Sequence, residues 1–308
     1  MTTGLITHPA CLGHDPGEGH PECPDRLRAI RHALEEERFF LLDRTRAPAA
    51  TREQLCRVHT QAHVEAILAI RPNDDELRYL DGDTAMSTGS AEAALRAAGG
   101  AVAAVEAVLS GDWRNAFVAV RPPGHHAEPA SAGGFCLFNN AAVGAAHARA
   151  LGLGRVAIVD FDVHHGNGTQ DIFANDPAVF YGSSHQAGAY PGTGFATERG
   201  VGNIVNVPLP AGSDGERFRA AWSNIILPAL DAFAPELLII SAGFDAHRAD
   251  PLAQLRLGTE DFGWITRELI SVANRRCGGR IVSVLEGGYD LSALAASAAV
   301  HVAALMDG

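Results

Sequence analysis

The sequence predicts a single α/β domain built on a parallel sheet with helices over both faces, and three observations carry that prediction. Short runs of β-branched and apolar residues recur at 116–120, 156–159, 178–181, 204–207, 237–241 and 281–285. Such unbroken runs suit strands buried on both faces. Stretches of helical periodicity separate them, and strand–helix alternation of this kind produces a parallel sheet. No low-complexity, Ser-rich or charge-block linker interrupts the chain, so residues 1–308 are read as one domain.

Taken in order, residues 4–7 form a first strand that ends in a loop rich in His, Gly and Pro, HPACLGHDPGEGHPECPDR. Pro24 and Asp25 open a helix over 26–39, with Leu27, Ile30 and Leu34 on its apolar stripe. Further helices begin near Thr51 and cover 63–70, before Pro72. The polar stretch 73–88 reads as a loop, and 90–109 as a long Ala-rich helix. Among the later strands, helices fill 139–150, 215–233, 260–276 and 291–305. No solenoid-length repeat is present.

Hydrophobic residues make up 47% of the chain, ample for a large core. A formal net charge of -12 argues against a nucleic-acid surface, because phosphate binding depends on Lys and Arg. The five cysteines are scattered without a CxxC pair, which excludes a disulfide framework or zinc knot. The N-terminus lacks a basic region followed by an apolar one, and no apolar run is read as reaching membrane-spanning length, so a cytoplasmic location is the expectation.

Chemistry gathers at four strand ends. RPPGHHAE follows the strand at 116–120, DFDVHHGNGTQ grows out of 156–159, SAGFDAHRADPLA follows 237–240, and EGGYDL follows 281–285. In a parallel sheet these ends share one rim, where open α/β sheets place ligands. In an extended backbone Asp160, Asp162 and His164 point the same way. Asp162, His164 and Asp245 then form a three-ligand site for a divalent metal with an open position, as in catalytic zinc sites. Two carboxylates neutralise Zn²⁺, so neighbours must assist. His125 and His126 titrate in the right range to take a proton from water, and Tyr289 can donate to a developing oxyanion. Asp160 orients a histidine or holds a monovalent cation. Solitary histidines such as His59 and His301 are read as structural, and Cys136 as a buried thiol without a base.

The motifs HPECPDR, RPPGHHAE, GFCLFNN, DFDVHHGNGTQ, YPGTG, NVPLP, SAGFDAHRADPLA and LEGGYDL occur in this order from about residue 20 to 291. Together they resemble the histone deacetylase family, particularly class II and bacterial histone deacetylase-like amidohydrolases. The resemblance implies an arginase-deacetylase fold, a three-layer α/β/α domain on a mostly parallel eight-stranded sheet. It implies Zn²⁺, or Fe²⁺ in its place, on Asp162, His164 and Asp245, with Tyr289 polarising the scissile carbonyl. It makes His126 the general base and then acid, and His125 its electrostatic partner held by Asp160. Asn167 supports His126 where class I relatives use Asp. Gly134, Phe135 and Tyr190 correspond to walls of the acyl-lysine tunnel, and Asp83 to a rim residue that binds substrate. Potassium is implied too, on the Asp160 carboxylate, main-chain carbonyls at 162, 164 and 184, and a hydroxyl like that of Ser183, so that Ser183 and Ser184 belong to that site.

The activity implied is zinc-dependent removal of acetyl groups from Nε-acyl-lysine peptides or small acyl amides. An acetylpolyamine deacetylase of this family carries a gatekeeper Glu where this chain has Leu252, and an apolar residue offers no charge to a secondary ammonium. Two-metal hydrolysis of the arginase type needs additional acidic ligands that are not evident. The alternative from another class is a silent acyl-lysine or metabolite-binding module, against which the full set of metal ligands, paired histidines and Tyr289 speaks. No nucleic-acid or membrane partner is expected, and a homo-oligomer is left open.

Overall fold

The computed structural model describes residues 2–74 and 76–308; Asp75, inside the expected loop over 73–88, lies outside them. The elements in chain order are β1 (Thr2–Thr7), α1 (Pro24–Ala33), β2 (Asp43–Arg46), α2 (Arg52–Leu55), α3 (Gln61–Ala69), β3 (Arg78–Tyr79), β4 (Ala85–Met86), α4 (Ser90–Ser110), β5 (Trp113–Val118), α5 (Asn140–Ala150), β6 (Val156–Asp160), α6 (Asn167–Phe173), β7 (Val179–Gln186), β8 (Ile204–Leu209), α7 (Gly215–Ala221), α8 (Leu227–Phe233), β9 (Leu237–Ala242), α9 (Thr259–Arg276), β10 (Ile281–Leu285) and α10 (Leu291–Asp307).

Eight strands form one sheet in the order β2-β1-β5-β10-β9-β6-β7-β8. Every neighbouring pair in it is parallel. β3 and β4 make a separate antiparallel ribbon. The central strands β6, β9 and β10 are buried at every residue, as expected where helices cover both faces. Successive side chains of β5 demonstrate the two layers. Phe117 meets His301 of α10 at a ring separation of 5.6 Å, whereas Val118 lies beside Gly100 of α4. Alternate residues of a strand face opposite ways, so α4 and α10 cover opposite faces. This is the α/β/α arrangement anticipated.

Several boundaries differ from expectation, for identifiable reasons. The helix expected over 26–39 stops at Ala33, with a short 3-10 turn at Glu37–Phe39. Arg44 donates to the Leu34 carbonyl, the acceptor that a continuing helix would offer to the Arg38 amide. Edge strand β2 was not foreseen, since DRTR has no apolar alternation. The helix expected over 215–233 is broken by a π-helical turn at Trp222–Ile226, just before Pro228, whose missing N–H cannot serve a regular helix. Helix α4 is, by length and composition, apolar enough to cross a membrane, contrary to the expectation that no run is. Here 61% of that stretch is buried inside the fold.

Candidate metal-centred active site

The sheet order sets β5, β10, β9 and β6 side by side, so the four chemistry-bearing strand ends are neighbours on one rim. The route by which β6 delivers its ligands differs from the extended run expected. The strand ends at Asp160, and the chain then turns through hydrogen bonds of its own carboxylates. Asp160 Oδ1 accepts from the Asp162 amide at 3.1 Å, and Asp162 Oδ1 from the His164 amide at 2.9 Å. Short acidic side chains readily stabilise such turns.

Asp162, His164 and Asp245 come together as expected, each offering a ligand atom within 4.8 Å of the others. His164 Nδ1 lies 3.2 Å from Asp162 Oδ1 and 3.2 Å from Asp245 Oδ2. Asp162 Oδ2 accepts from the Gly287 amide at 2.8 Å, and Asp245 Oδ1 from the Val163 amide at 2.8 Å. The backbone thus aims both carboxylates before any ion is considered. Glycine is required around them: a Cβ on Gly287 would sit 2.1 Å from Asp245 Oδ2, and one on Gly243 2.0 Å from Asp162 Oδ2.

Two fully buried carboxylates demand compensation. Burial and the Asp162 charge push Asp245 up to about 7. Burial alone would raise Asp162 as well, but His125 and His164 hold it far below the usual carboxylate range. His164 is pushed up to about 10, its carboxylate bonds overriding burial. The hard and borderline donors, their convergence and the glycine cradle fit a divalent metal.

The adjacent histidines are held differently. His125 Nδ1 lies 3.0 Å from Asp160 Oδ2, and its Nε2 3.8 Å from Asp162 Oδ2. Burial disfavours its charge, but Asp162 and Asp160 outweigh that and raise its pKa well above the ordinary value. His126 Nδ1 meets Asn167 Oδ1 at 2.8 Å. Burial and the charges of His125 and His164 depress its pKa strongly. The pair, with ring centres 4.0 Å apart, is therefore pushed in opposite directions, His125 toward its charged form and His126 toward its neutral one.

A pocket of about 210 Å³ leads to this centre, lined by Asp83, His126, Gly134, Phe135, His164, Tyr190, Leu252 and Tyr289. All five residues expected on the substrate wall or rim are among them. Gly134 and Phe135 adopt positive φ values of 55° and 68°, and a Cβ on Gly134 would strike His126 Cδ2 at 2.5 Å. Thr84 Oγ1 accepts from the Phe135 amide at 3.0 Å, bracing the unusual backbone. Tyr190 stands edge-on to His126 at 4.9 Å, and the Arg26 guanidinium lies 4.8 Å over the Tyr289 ring.

Of the residues expected at a potassium site, Asp160 and Ser183 are paired across β6 and β7. Asp160 Oδ2 also accepts from the Tyr181 hydroxyl at 3.1 Å, Ser183 Oγ lies 2.9 Å from His185 Nδ1, and Ser184 Oγ accepts from Trp222 Nε1 at 2.9 Å.

Other supporting residues were missed. Glu286 Oε2 accepts from the amides of Gly124 and His125 at 2.6 and 3.1 Å, tying the histidine turn to the loop that bears Tyr289. Arg121 grips the Glu22 carboxylate with two hydrogen bonds; Arg26 also bonds Glu22 and donates to the Gly288 carbonyl at 2.6 Å. Asp250 Oδ2 accepts from the Tyr289 amide at 2.7 Å. The available signal was the i,i+4 pair Glu22/Arg26 and the acid preceding two glycines in EGGYDL.

A family model described as "Histone deacetylase domain" matches residues 20–305. The chain is 40% identical to "Histone deacetylase 14, chloroplastic" of Arabidopsis thaliana, covering 96% of this chain and 75% of that protein. It is 40% identical to "Histone deacetylase-like amidohydrolase" of Pseudomonas aeruginosa, covering 88% of this chain and 73% of that one. Among solved structures, "Crystal Structure of HDA15 HD domain" superposes with a TM-score of 0.90 at 39% identity, covering 98% of this chain and 88% of the other.

Proposed function

The chain belongs to the histone deacetylase family, and from that premise we propose that it is a zinc-dependent amidohydrolase that releases acetyl groups from Nε-acyl-lysine-like amides. The observation that carries this reading is the convergence of Asp162, His164 and Asp245 at the end of a pocket that His126 and Tyr289 also line.

Asp162, His164 and Asp245 would hold a divalent cation, which would supply Lewis acidity toward the scissile carbonyl and the attacking water. Phe135 and Tyr190 flank the apolar stem of an acyl-lysine and exclude water from it. His126, buried where its charged form is disfavoured, takes a proton from water as its oxygen bonds to the carbonyl carbon. Tyr289 donates its hydroxyl to the carbonyl oxygen as that atom gains charge. The proton on His126 then passes to the amine nitrogen as the C–N bond breaks, leaving acetate and lysine. His125, whose charged form Asp162 and Asp160 favour, stabilises negative charge throughout. Potassium beside Asp160 and Ser183 belongs to the same reading as a structural ion.

Leu252 at the mouth favours a neutral acyl-lysine stem over a charged polyamine. The test is parallel turnover of an acetyl-lysine peptide, a trifluoroacetyl-lysine peptide and acetylated polyamines by one zinc-loaded preparation. Acyl-lysine turnover above polyamine turnover is the expected result. Absence of amine release from every peptide at full metal occupancy would remove the proposal, and faster polyamine turnover would remove the substrate assignment.

A further inference from the structure

We infer that Glu128 is a positioning residue that sets the tautomer of His126 through Asn167. The inference rests on the reading of His126 as the base, and its logic is one of donors and acceptors.

His125 needs no intermediary. Its Nδ1 faces a carboxylate oxygen of Asp160, and an ionised carboxylate only accepts, so a hydrogen must reside on Nδ1. His126 faces an amide instead, and either end of an amide can meet an imidazole nitrogen. With the carbonyl toward the ring, Nδ1 carries the hydrogen and Nε2 keeps its lone pair for the incoming proton. With the NH₂ toward the ring, Nδ1 accepts, Nε2 carries the hydrogen, and the neutral imidazole offers no lone pair on that side.

Glu128 removes this ambiguity. Its Oε1 lies 2.8 Å from Asn167 Nδ2, while Asn167 Oδ1 lies 2.8 Å from His126 Nδ1. A carboxylate next to the amide requires the NH₂ end, which directs the carbonyl at His126 and places the hydrogen on Nδ1. Glu128 is itself secured. Its Oε2 accepts from Ser131 Oγ at 3.0 Å, its amide donates to the Ser131 carbonyl at 2.9 Å, and its carbonyl lies 2.9 Å from His59 Nδ1. Asn167 is held at the start of α6, its amide donating to the His165 carbonyl at 2.8 Å. Both ends of the Asn167–Glu128 contact are therefore fixed in place, and the relay runs His126–Asn167–Glu128 with one consistent direction of donation.

The inference is tested on the zinc-loaded full chain by ¹⁵N NMR of the His126 ring nitrogens, with acetyl-lysine peptide kinetics alongside. In the wild type the neutral ring should be the Nδ1–H tautomer. In Glu128→Ala a population with the hydrogen on Nε2 should appear, with kcat lower by about tenfold or more and KM within about twofold, the usual scale for losing a partner that orients a functional histidine. Asp at 167 has no donor end and fixes the tautomer unaided. Adding Asn167→Asp to Glu128→Ala should thus restore the Nδ1–H tautomer and recover kcat about fivefold or more over Glu128→Ala. An unchanged tautomer with kcat within about twofold of wild type in Glu128→Ala, or no recovery in the double variant, would overturn the relay. A wild type with the expected tautomer but no turnover would instead sink the reading of His126 as base, leaving the tautomer data to decide on Glu128.

Discussion

At the scale of single residues, the proposed reaction divides the site into groups that would meet substrate and groups that aim them. Tyr289 belongs to the first, so Tyr289→Phe should lower kcat by about 10²–10³ with bound metal unchanged, the range for losing one oxyanion donor. Turnover within about threefold of wild type would remove that role. Gly287 belongs to the second. A methyl group there would lie 2.1 Å from Asp245 Oδ2 and 2.6 Å from Asp162 Oδ2. Gly287→Ala should therefore leave a folded protein, by circular dichroism, that retains much less metal in elemental analysis after dialysis. Retention equal to wild type would mean that the carboxylates have room to move. These residues were legible in the sequence because acids, histidines and glycines at strand ends are chemically conspicuous. Glu128 was not, because a carboxylate in a loop looks like any solvated acid until its hydrogen-bond partners are known.

At the scale of elements, α9, α10 and β10 meet at His301. Its Nδ1 lies 2.6 Å from Thr266 Oγ1 and its Nε2 2.8 Å from Ser283 Oγ. Burial pushes its pKa down to about 3 from an ordinary 6.5. The native chain therefore holds this ring neutral while the unfolded chain takes up a proton below pH 6.5. Its stabilising contribution is complete above that pH and declines as pH falls toward 3, by about 1.4 kcal/mol per pH unit. Urea unfolding at pH 7, 6, 5 and 4 checks this. His301→Asn, though less stable at pH 7, should show a flatter decline by about that slope, and parallel declines would count against it. The long periodic helices and buried strands were readable because their apolar spacing is set by the core. β2 and α6 escaped because DRTR and NGTQDIF carry little such spacing, and their places are set by neighbours.

At the scale of the whole molecule, the parallel sheet turns four distant sequence motifs into one centre, and the strand order that does so was beyond sequence pattern alone. Alternation established that the strands run parallel, but not that β10 inserts between β5 and β9. A metal shared by ligands following β6 and β9 should join those crossovers energetically. Removing it with a chelator should lower the thermal midpoint, since a ligand present at 100 times its Kd stabilises by about 2.7 kcal/mol. Scanning calorimetry of the zinc-loaded and chelated protein measures this, and coincident midpoints would argue against a tightly bound ion at the site.

The open sheet also has two margins. On one of them, all four residues of β2 are exposed, and Asp43, Arg44 and Arg46 put charge on three of them. The opposite margin, β8, contains Pro208, which has no amide hydrogen to offer a visiting strand. Short charged borders and proline discourage one sheet from growing onto another. The same parallel architecture that concentrates reactivity along its rim is thereby protected at its sides from fibrous stacking in a crowded solution.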